Sequence, residues 1–426
     1  SFMEIFNLSI LIVIINFLLD SESTSSNFMF LNSISDYFNS KNINLNYILY
    51  LFLIIFIIKI FILIYGSLRE AKFIADLKEN ISNSLFNDFL GRDAHKILKK
   101  NSSIYLRNFT TEIDLTASFY RSLMQIILDF VIILALLPFL FFFDFISAAA
   151  ALLVLISFSL VYYFVIKNLI TNWAKKRSIS QKKKVQFVNE GFSAIKYIKM
   201  LARENYFLKK FKEQTSTLSN ITFKVSFVNS LPKHVLELFL FSSIIITLVI
   251  LFYFNYGSDD IIKIISVYIV ASLRIVPSTN RILGNLQGCK FTYPAFKNIY
   301  NEFENEKLKI SKFYKKFAFN REVKVNIKSF KYNQTNKFHL KGVKLKFRKK
   351  QKIGIIGPSG SGKSTIIDII CGFIKADNIN ITVDEKSVYK NLRSWQKNIG
   401  YIPQKIIILN SSLKKNILFG VNSTTV

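Results

Sequence analysis

Six long stretches of apolar residues occupy the first 276 positions of this chain and constrain its fold more than any other feature. Several approach the ~20 residues that a helix needs to cross the hydrocarbon core of a bilayer. A mean hydropathy of +0.31 beside a net charge of +30 also fits apolar spans between basic loops better than one soluble core. We therefore predict six transmembrane helices. The stretches cover residues 2–19, 45–65, 122–143, 145–166, 236–254 and 261–276.

The connections between these stretches differ in charge, and the difference predicts their side of the membrane. Residues 67–108 carry eight Lys or Arg and residues 167–225 carry fourteen, whereas the connections at 20–44 and 255–260 hold more acids than bases. A biased composition explains the total charge equally well, so its placement is the informative part. By the positive-inside rule the two basic connections and the C-terminal region are cytoplasmic. Both connections are nearly free of Gly and Pro, which predicts helices that run out of the membrane.

Composition and chain ends exclude several other classes. Only 14 Gly and 6 Pro exclude a collagen-like chain, and two cysteines exclude a disulfide framework. The three histidines are too scattered to predict a metal site. Position 1 is Ser, and an apolar run begins at once without a basic segment before it. We therefore expect a chain that begins part-way through a helix and that is incomplete at both ends.

A phosphate-binding loop is the most specific signal in the sequence. The pattern G-x-x-x-x-G-K-S spans residues 357–364, after an apolar segment predicted to be a strand and before a helix-forming run. Its glycines let backbone N–H groups turn toward a phosphate chain, and the helix N-terminus adds its positive end. Lys363 would bridge the β- and γ-phosphates of ATP, and Ser364 would ligate Mg²⁺. The predicted nucleotide-binding residues are Gly357, Pro358, Ser359, Gly360, Ser361, Gly362, Lys363, Ser364 and Thr365.

Strand-like alternation begins just before this loop and marks a second domain. Apolar residues alternate at 323, 325 and 327 and again at 343, 345 and 347. We predict an α-helical transmembrane domain at 1–287, a partly helical linker at 288–320, and the N-terminal part of an α/β P-loop NTPase domain at 321–426.

Two further residues flank the loop at informative distances. Tyr332 lies 25 residues before Gly357, and Gln404 lies 41 residues after Lys363. With six spans upstream, this arrangement resembles the ATP-binding cassette (ABC) exporters along nearly the whole chain. The resemblance implies that Tyr332 stacks on adenine. It also implies that Gln404 contacts Mg²⁺ and the attacking water, which would make Gln404 and Lys363 the catalytic residues.

The same resemblance implies a paired assembly in the cytoplasmic (inner) membrane. One membrane domain with one cassette implies a homodimer, or a heterodimer with a similar second half-transporter. The sequence stops before the family's signature motif, Walker B strand and catalytic glutamate. We therefore expect this chain to bind ATP without hydrolysing it, and a full-length form to be an ATPase. Membrane lipid is an expected partner and nucleic acid is not.

Cations within or beside the predicted spans suggest an anionic cargo. Ionisable groups in spans usually face a cavity or a partner, and phosphate or pyrophosphate is the anion that they suit best. Snorkelling of Lys59 and Lys233 to the interface, or pairing of Lys233 with Glu237, remains the alternative. The predicted substrate-cavity residues are Lys59, Lys233, Arg274 and Arg281.

The N-terminal residues 1–6, an amphipathic outer segment at 27–38 and the run at 274–282 are similar to the PglK-type flippases. These flippases move polyprenyl-pyrophosphate-linked oligosaccharides outward. The similarity implies that the outer segment engages the polyprenyl tail and that the four cations handle the pyrophosphate. An exporter of another amphipath, such as a glycolipid or a drug, is the close alternative. A non-transporting membrane scaffold with an inert cassette is the alternative from a different class.

Overall fold

The computed structural model of the chain describes most of the residues after position 44. It describes residues 45–92, 94, 97, 101–143, 145–253, 257–304, 318–331, 340–376, 378–403 and 406–421. The chain divides into two compact units, Ser1–Leu90 with Lys100–Lys307 and Gly91–Lys99 with Leu308–Val426. The predicted span at 2–19 and the outer segment at 27–38 lie outside the described residues.

The first unit is built from long helices. The predicted extension of helices beyond the apolar stretches is confirmed, since the fourth apolar stretch ends at 166 and its helix ends at Ser193. The last long helix runs unbroken through 288–304, the first half of the predicted linker. The helices are α1 Leu45–Gly91, α2 Ser102–Arg107, α3 Ile113–Phe143, α4 Phe145–Ser193, α5 Ile195–Met200, α6 Glu204–Tyr253 and α7 Ser258–Glu304, with a π-helical turn at Asn108–Glu112 between α2 and α3.

One helical stretch has the length and apolar composition of a membrane span by itself. Within the described residues, only Ser102–Pro138 passes that test, with a mean hydropathy of 1.9 over an 18-residue window. The six-span prediction therefore remains a prediction for the other apolar stretches.

Helix α7 is the packing centre of the described helices. It contacts α3, α4 and α6, and α4 also packs against α6. Ile170 and Val228 join α4 to α6, and the Tyr162 hydroxyl donates a hydrogen bond to the Val228 carbonyl at 2.5 Å. Leu85 of α1 packs with Ile113 and Ile299, so α1 meets α3 and α7 near its C-terminal end.

A buried polar network surrounds the π-helical turn. Glu112 is 1% exposed, accepts a hydrogen bond from Asn298 Nδ2 at 3.0 Å, and lies 3.6 Å from Arg107 Nε. Arg107 also donates to the Ser178 carbonyl of α4 at 3.4 Å. Burial lowers the pKa of the nearby Arg177 guanidinium, and the charge of Glu112 opposes that shift. Glu112 thus ties the turn to α7, and its partner Arg107 ties the same network to α4.

The second unit contains a four-stranded antiparallel sheet in the order β2-β1-β3-β4. The predicted alternation is confirmed in β1, where Val323, Val325 and Ile327 are all buried. The β3–β4 turn is tied back to the start of β1, because Asp384 accepts hydrogen bonds from the backbone N–H groups of residues 320, 321 and 322. These backbone bonds lower the pKa of Asp384. The strands are β1 Glu322–Phe330, β2 Leu340–Arg348, β3 Ile379–Val383 and β4 Lys386–Ser387.

Four short helical elements follow these strands or lie between them. They are α8 Lys363–Ile370, a 3₁₀ turn Val388–Asn391, α9 Leu392–Gln396 and α10 Leu413–Leu418.

The prediction of a strand immediately before the phosphate loop is wrong for this structure. Residues 351–358 belong to no helix or strand, and Ile356 is 97% exposed. A segment counts as a strand only when a neighbouring segment pairs with its backbone, and the described part of the chain supplies no such neighbour here. The segment 353–356 is apolar, as a buried strand would be, but its pairing depends on another segment.

The two ion pairs of Glu322 predict how the stability of the second unit changes in acid. Lys324 Nζ and Lys346 Nζ lie 2.8 and 2.7 Å from its two oxygens and lower its pKa from 4.5 to about 2. Its contribution to stability is therefore complete above pH 4.5 and is lost as the pH falls toward 2. In a Trp173→Phe background, where Trp395 is the only tryptophan, the denaturation midpoint should fall over that range, and Glu322→Gln should reduce the fall. The exposed Glu385→Gln is the control, and an equal effect from it would contradict the prediction.

Candidate nucleotide-binding site

The loop at 357–362 has the backbone shape that a phosphate site requires. Gly360 and Gly362 have φ values of +81° and +90°, in the left-handed region that favours glycine. Gly362 is also the N-cap of α8, so the turn delivers the chain directly into a helix N-terminus. Residues 357–361 are exposed. A ligand phosphate can therefore reach both the loop and the positive end of the helix.

Lys363 folds back across the loop. Its Nζ donates hydrogen bonds to the carbonyl oxygens of Gly357 and Pro358, each at 2.8 Å. These carbonyls hold the ammonium group beside the turn in which Gly360 lies. The carbonyls of the loop thus position the positive charge that a bound polyphosphate requires.

The two ends of the loop approach each other closely at Gly357. A Cβ at this position would lie 2.9 Å from Ser361 Oγ, so that hydroxyl would have to turn to another rotamer. Gly354, three residues earlier, has nothing within 4 Å of the same hypothetical atom.

Helix α8 is fixed at its far end by α9. The Trp395 indole donates to the Ile370 carbonyl at 2.8 Å, and Gln396 Nε2 donates to the Cys371 carbonyl at 3.2 Å. Both carbonyls lie at the C-terminal end of α8, where no intrahelical partner exists. Ile369, fully buried, packs α8 into the core that it shares with β1 and β3. This packing aims the N-terminus of α8 at the phosphate loop.

The structure describes only two of the four remaining residues that the sequence predicts to contact the nucleotide or Mg²⁺. Ser364 and Thr365 lie in the first turn of α8, and Ser364 is exposed beside Lys363. A hydroxyl at this place suits Mg²⁺, which prefers oxygen ligands and keeps several waters. Tyr332 and Gln404 lie outside the described residues, so their roles stay predictions. Sequence reasoning did not find Trp395 and Gln396, because no local pattern marks a residue that caps a helix 25 positions away.

The family follows from comparison of the whole chain with known proteins. The model of the ABC transporter transmembrane region matches residues 1–273, which is more than half of the chain. The ABC transporter model matches residues 340–422, which include the phosphate loop. The chain belongs to the ABC transporter family. It is therefore a membrane protein, and its cassette is cytoplasmic.

Curated relatives share shorter segments with this ABC transporter chain. The glutathione/L-cysteine transport system ATP-binding/permease protein CydC of Bacillus subtilis (strain 168) is 49% identical over 78 residues, 18% of this chain and 14% of that protein. The multidrug resistance-like ATP-binding protein MdlA of Buchnera aphidicola subsp. Baizongia pistaciae is 25% identical over 239 residues, 55% of this chain and 41% of that protein. The matches therefore span less than half the length of either relative.

A solved structure shares the fold. The structure of a bacterial Atm1-family ABC exporter with ATP bound matches with a TM-score of 0.77 at 13% identity, and it covers 99% of this chain and 74% of that chain. At this identity the match shows the exporter fold alone. PglK-type specificity is not shown by any of these comparisons.

The predicted cavity cations lie on three helices of the membrane unit. Lys59 on α1 is buried, with its ammonium 5.7 Å from the Phe56 ring centroid. Lys233 on α6 is exposed. Arg274 is on α7, and its side chain lies outside what the structure describes. A shared cavity for the four cations therefore stays a prediction.

Arg281, the fourth of these cations, is paired with a carboxylate that the sequence analysis overlooked. Its Nε lies 2.9 and 3.1 Å from the two oxygens of Asp129, and its Nη2 lies 2.6 Å from Oδ1. Asp129 is buried on α3, within the third apolar stretch. An acid inside an apolar stretch was the signal that could have revealed it, because such a group needs a partner.

The backbone of Gly360 predicts a sharp mutational contrast. Gly360→Ala should weaken ATP binding by roughly tenfold, because a φ of +81° costs a residue other than glycine ~1–3 kcal/mol. Gly354→Ala adds a side chain with nothing within 4 Å of its Cβ and should bind like wild type. Equilibrium titration with a fluorescent ATP analogue measures all three proteins, and equal losses in both glycine variants would contradict the prediction.

Proposed function

We propose that this chain is one half of an ATP-driven exporter of amphipathic cargo. The observation that carries the proposal is the phosphate loop with Lys363 held across it, on a chain that also carries the ABC transporter transmembrane region. The loop fits a nucleoside triphosphate because two glycines at positive φ lead into a helix N-terminus and the Lys363 ammonium is held at the same loop. Bound Mg-ATP would supply the phosphoryl-transfer energy that drives transport.

Two copies of a half-transporter would form the working unit. The ABC exporter fold of the chain supports dimerisation, and a C₂ homodimer is the commonest symmetric arrangement. A heterodimer with a similar half is the alternative. In either assembly Lys363 would bind the β- and γ-phosphates, Ser364 would ligate Mg²⁺, and Gln404 would orient the attacking water. We place this assembly in the cytoplasmic (inner) membrane.

Lys363 provides the direct test of the nucleotide site. Lys363→Ala removes one charge-assisted contact worth ~1.5–3 kcal/mol, so ATP affinity should fall by roughly tenfold to a hundredfold. Lys352→Ala, which removes an exposed charge from the same segment, is the matched control and should bind normally. The measurement is equilibrium binding of Mg-ATP by the purified chain. Unchanged affinity in Lys363→Ala would overturn the assignment of the site.

The specific cargo that we propose is a polyprenyl-pyrophosphate-linked oligosaccharide, and Arg281 supports an anionic cargo of this kind. Its side chain is 51% exposed although Asp129 holds Nε and Nη2. Among the described residues, none accepts a hydrogen bond from its Nη1. One edge of the guanidinium is thus fixed by Asp129, while another edge stays accessible to an anion.

Substituting Arg281 or Asp129 distinguishes a role of this ion pair in cargo binding from a purely structural role. Arg281→Gln should reduce transport of a polyprenyl-pyrophosphate glycan in vesicles by at least tenfold, because a charge-assisted bond of ~1.5–3 kcal/mol is lost. Asp129→Asn should raise the affinity for that glycan, since it frees the guanidinium from its internal partner. Basal ATPase of the full-length protein should persist in both.

A control cargo and the contrary results complete that test. Transport of an amphipath with a neutral headgroup should not respond to Arg281→Gln. If both substitutions abolish transport and ATPase together, the pair is structural and the cargo proposal fails. That outcome leaves the nucleotide site untouched, because Lys363 lies in the other unit.

A further inference from the structure

Arg177 on α4 is a buried cation whose hydrogen-bonding capacity is unused. It is 9% exposed, and its Nη2 has no hydrogen-bond partner among the described residues. Its guanidinium lies instead 4.5 Å from the ring centroid of Phe291 on α7. An aromatic ring attracts the charge but offers no lone pair to the N–H groups. Because a buried guanidinium without an acceptor is costly, Arg177 is held in an unsatisfied state.

Glu112 has an unused acceptor in the same buried region. Its Oε2 accepts the hydrogen bond from Asn298 on α7, whereas its Oε1 accepts none from the described residues. Burial lowers the pKa of Arg177, the charge of Glu112 opposes that shift, and the charge of Arg107 adds to it. The three charged groups therefore lie within electrostatic reach of one another.

Arg107 holds the same carboxylate only loosely. Its Nε lies 3.6 Å from Glu112 Oε1, beyond hydrogen-bond distance, and has no hydrogen-bond partner among the described residues. Its Nη1 and Nη2 donate at 3.4 Å to the Ser178 carbonyl and at 3.3 Å to Asn108 Oδ1. Bonds of this type are strongest near 2.9 Å. One carboxylate oxygen is thus available to two arginines and is bonded by neither.

The three charged groups belong to segments that can shift against one another. Glu112 ends the π-helical turn and is anchored to α7 by Asn298, whereas Arg177 belongs to α4. A displacement of α4 along α7 therefore changes the distance from Arg177 to Glu112 while the Asn298 bond holds the carboxylate in place. Shifts of about 1–2 Å between packed helices are a common part of conformational transitions.

We propose that Glu112 is a carboxylate switch, whose Oε1 exchanges between Arg107 and Arg177 when α4 moves against α7. With Arg107 as its partner, the carboxylate joins α2 to α7. With Arg177 as its partner, it joins α4 to α7. Each arrangement satisfies one arginine at the expense of the other, so a small change elsewhere in the chain shifts the balance between them. The switch goes beyond the proposed transport function and does not depend on the cargo.

Two spin labels measure the position of α4 against α7. Lys183→Cys on α4 and Lys297→Cys on α7 place the labels at exposed positions. Cys289→Ala and Cys371→Ala remove the two native thiols, which are buried. Pulsed electron–electron double resonance on the purified chain in lipid nanodiscs then gives the distribution of distances between the labels.

Removing either arginine should move this distribution in opposite directions. Arg177→Gln should favour the arrangement paired through Arg107, and Arg107→Gln the arrangement paired through Arg177. Each shift should be roughly tenfold in the population ratio, because one charge-assisted hydrogen bond is lost. Lys176→Gln removes a neighbouring exposed charge from α4 and should leave the distribution unchanged. Shifts in the same direction, or no shift, would show two structural arginines and overturn the proposal.

A neutral residue at position 112 provides the second test. Glu112→Gln keeps an oxygen for Asn298 but removes the charge for which the arginines compete. In this background Arg177→Gln should no longer change the distribution, and a shift of full size would reject Glu112 as the switch. Arg107→Lys keeps the positive charge but loses the planar fork, so it should shift the distribution in the direction of Arg107→Gln by a smaller amount. This variant decides the test if Arg107→Gln does not fold.

Discussion

The buried carboxylate of Glu112 is the constraint on which the described membrane unit depends most. A charge out of contact with water is tolerated only when it has partners, and Glu112 has Arg107 at the end of α2 and Asn298 on α7. Arg107 in turn donates to α4 through Ser178. The π-helical turn at Asn108–Glu112 brings these groups together, and wide turns of this kind are frequent at functional positions. Three segments far apart in sequence are thereby fixed around one negative charge.

The phosphate loop shows the same dependence of a local motif on distant support. The glycines and Lys363 form a phosphate cradle by local geometry alone. The direction of α8 is set by residues outside the loop, since Ile369 packs α8 into the sheet core and Trp395 donates to the Ile370 carbonyl at its C-terminal end. Hydrogen bonds to the unpaired end carbonyls of a helix each contribute ~0.5–1.5 kcal/mol, so α9 stabilises the site without touching a nucleotide.

The cations of the membrane unit differ in whether a carboxylate compensates their charge. Asp129 occupies two donor positions of Arg281 and thereby fixes its orientation, so an anion would meet a guanidinium that is already partly neutralised. Lys167 and Lys290 instead rest against aromatic rings and keep their full charge. The arrangement at Arg281 favours a ligand that binds and leaves, because its net attraction for an anion is smaller.

The sequence by itself determined the elements whose signals are local. Periodicity predicted the long helices and the alternation of β1, and the spacing of glycines around Lys363 predicted the phosphate loop, because helices and tight turns are closed by neighbours in the chain. The tertiary structure decided the pairings between distant segments. It joined Asp129 to Arg281 across 152 positions and Trp395 to the end of α8, and it left residues 353–356 without a strand partner. Such pairings could not be predicted from one sequence, because a buried charge or an unpaired backbone specifies that a partner is needed but not which residue supplies it.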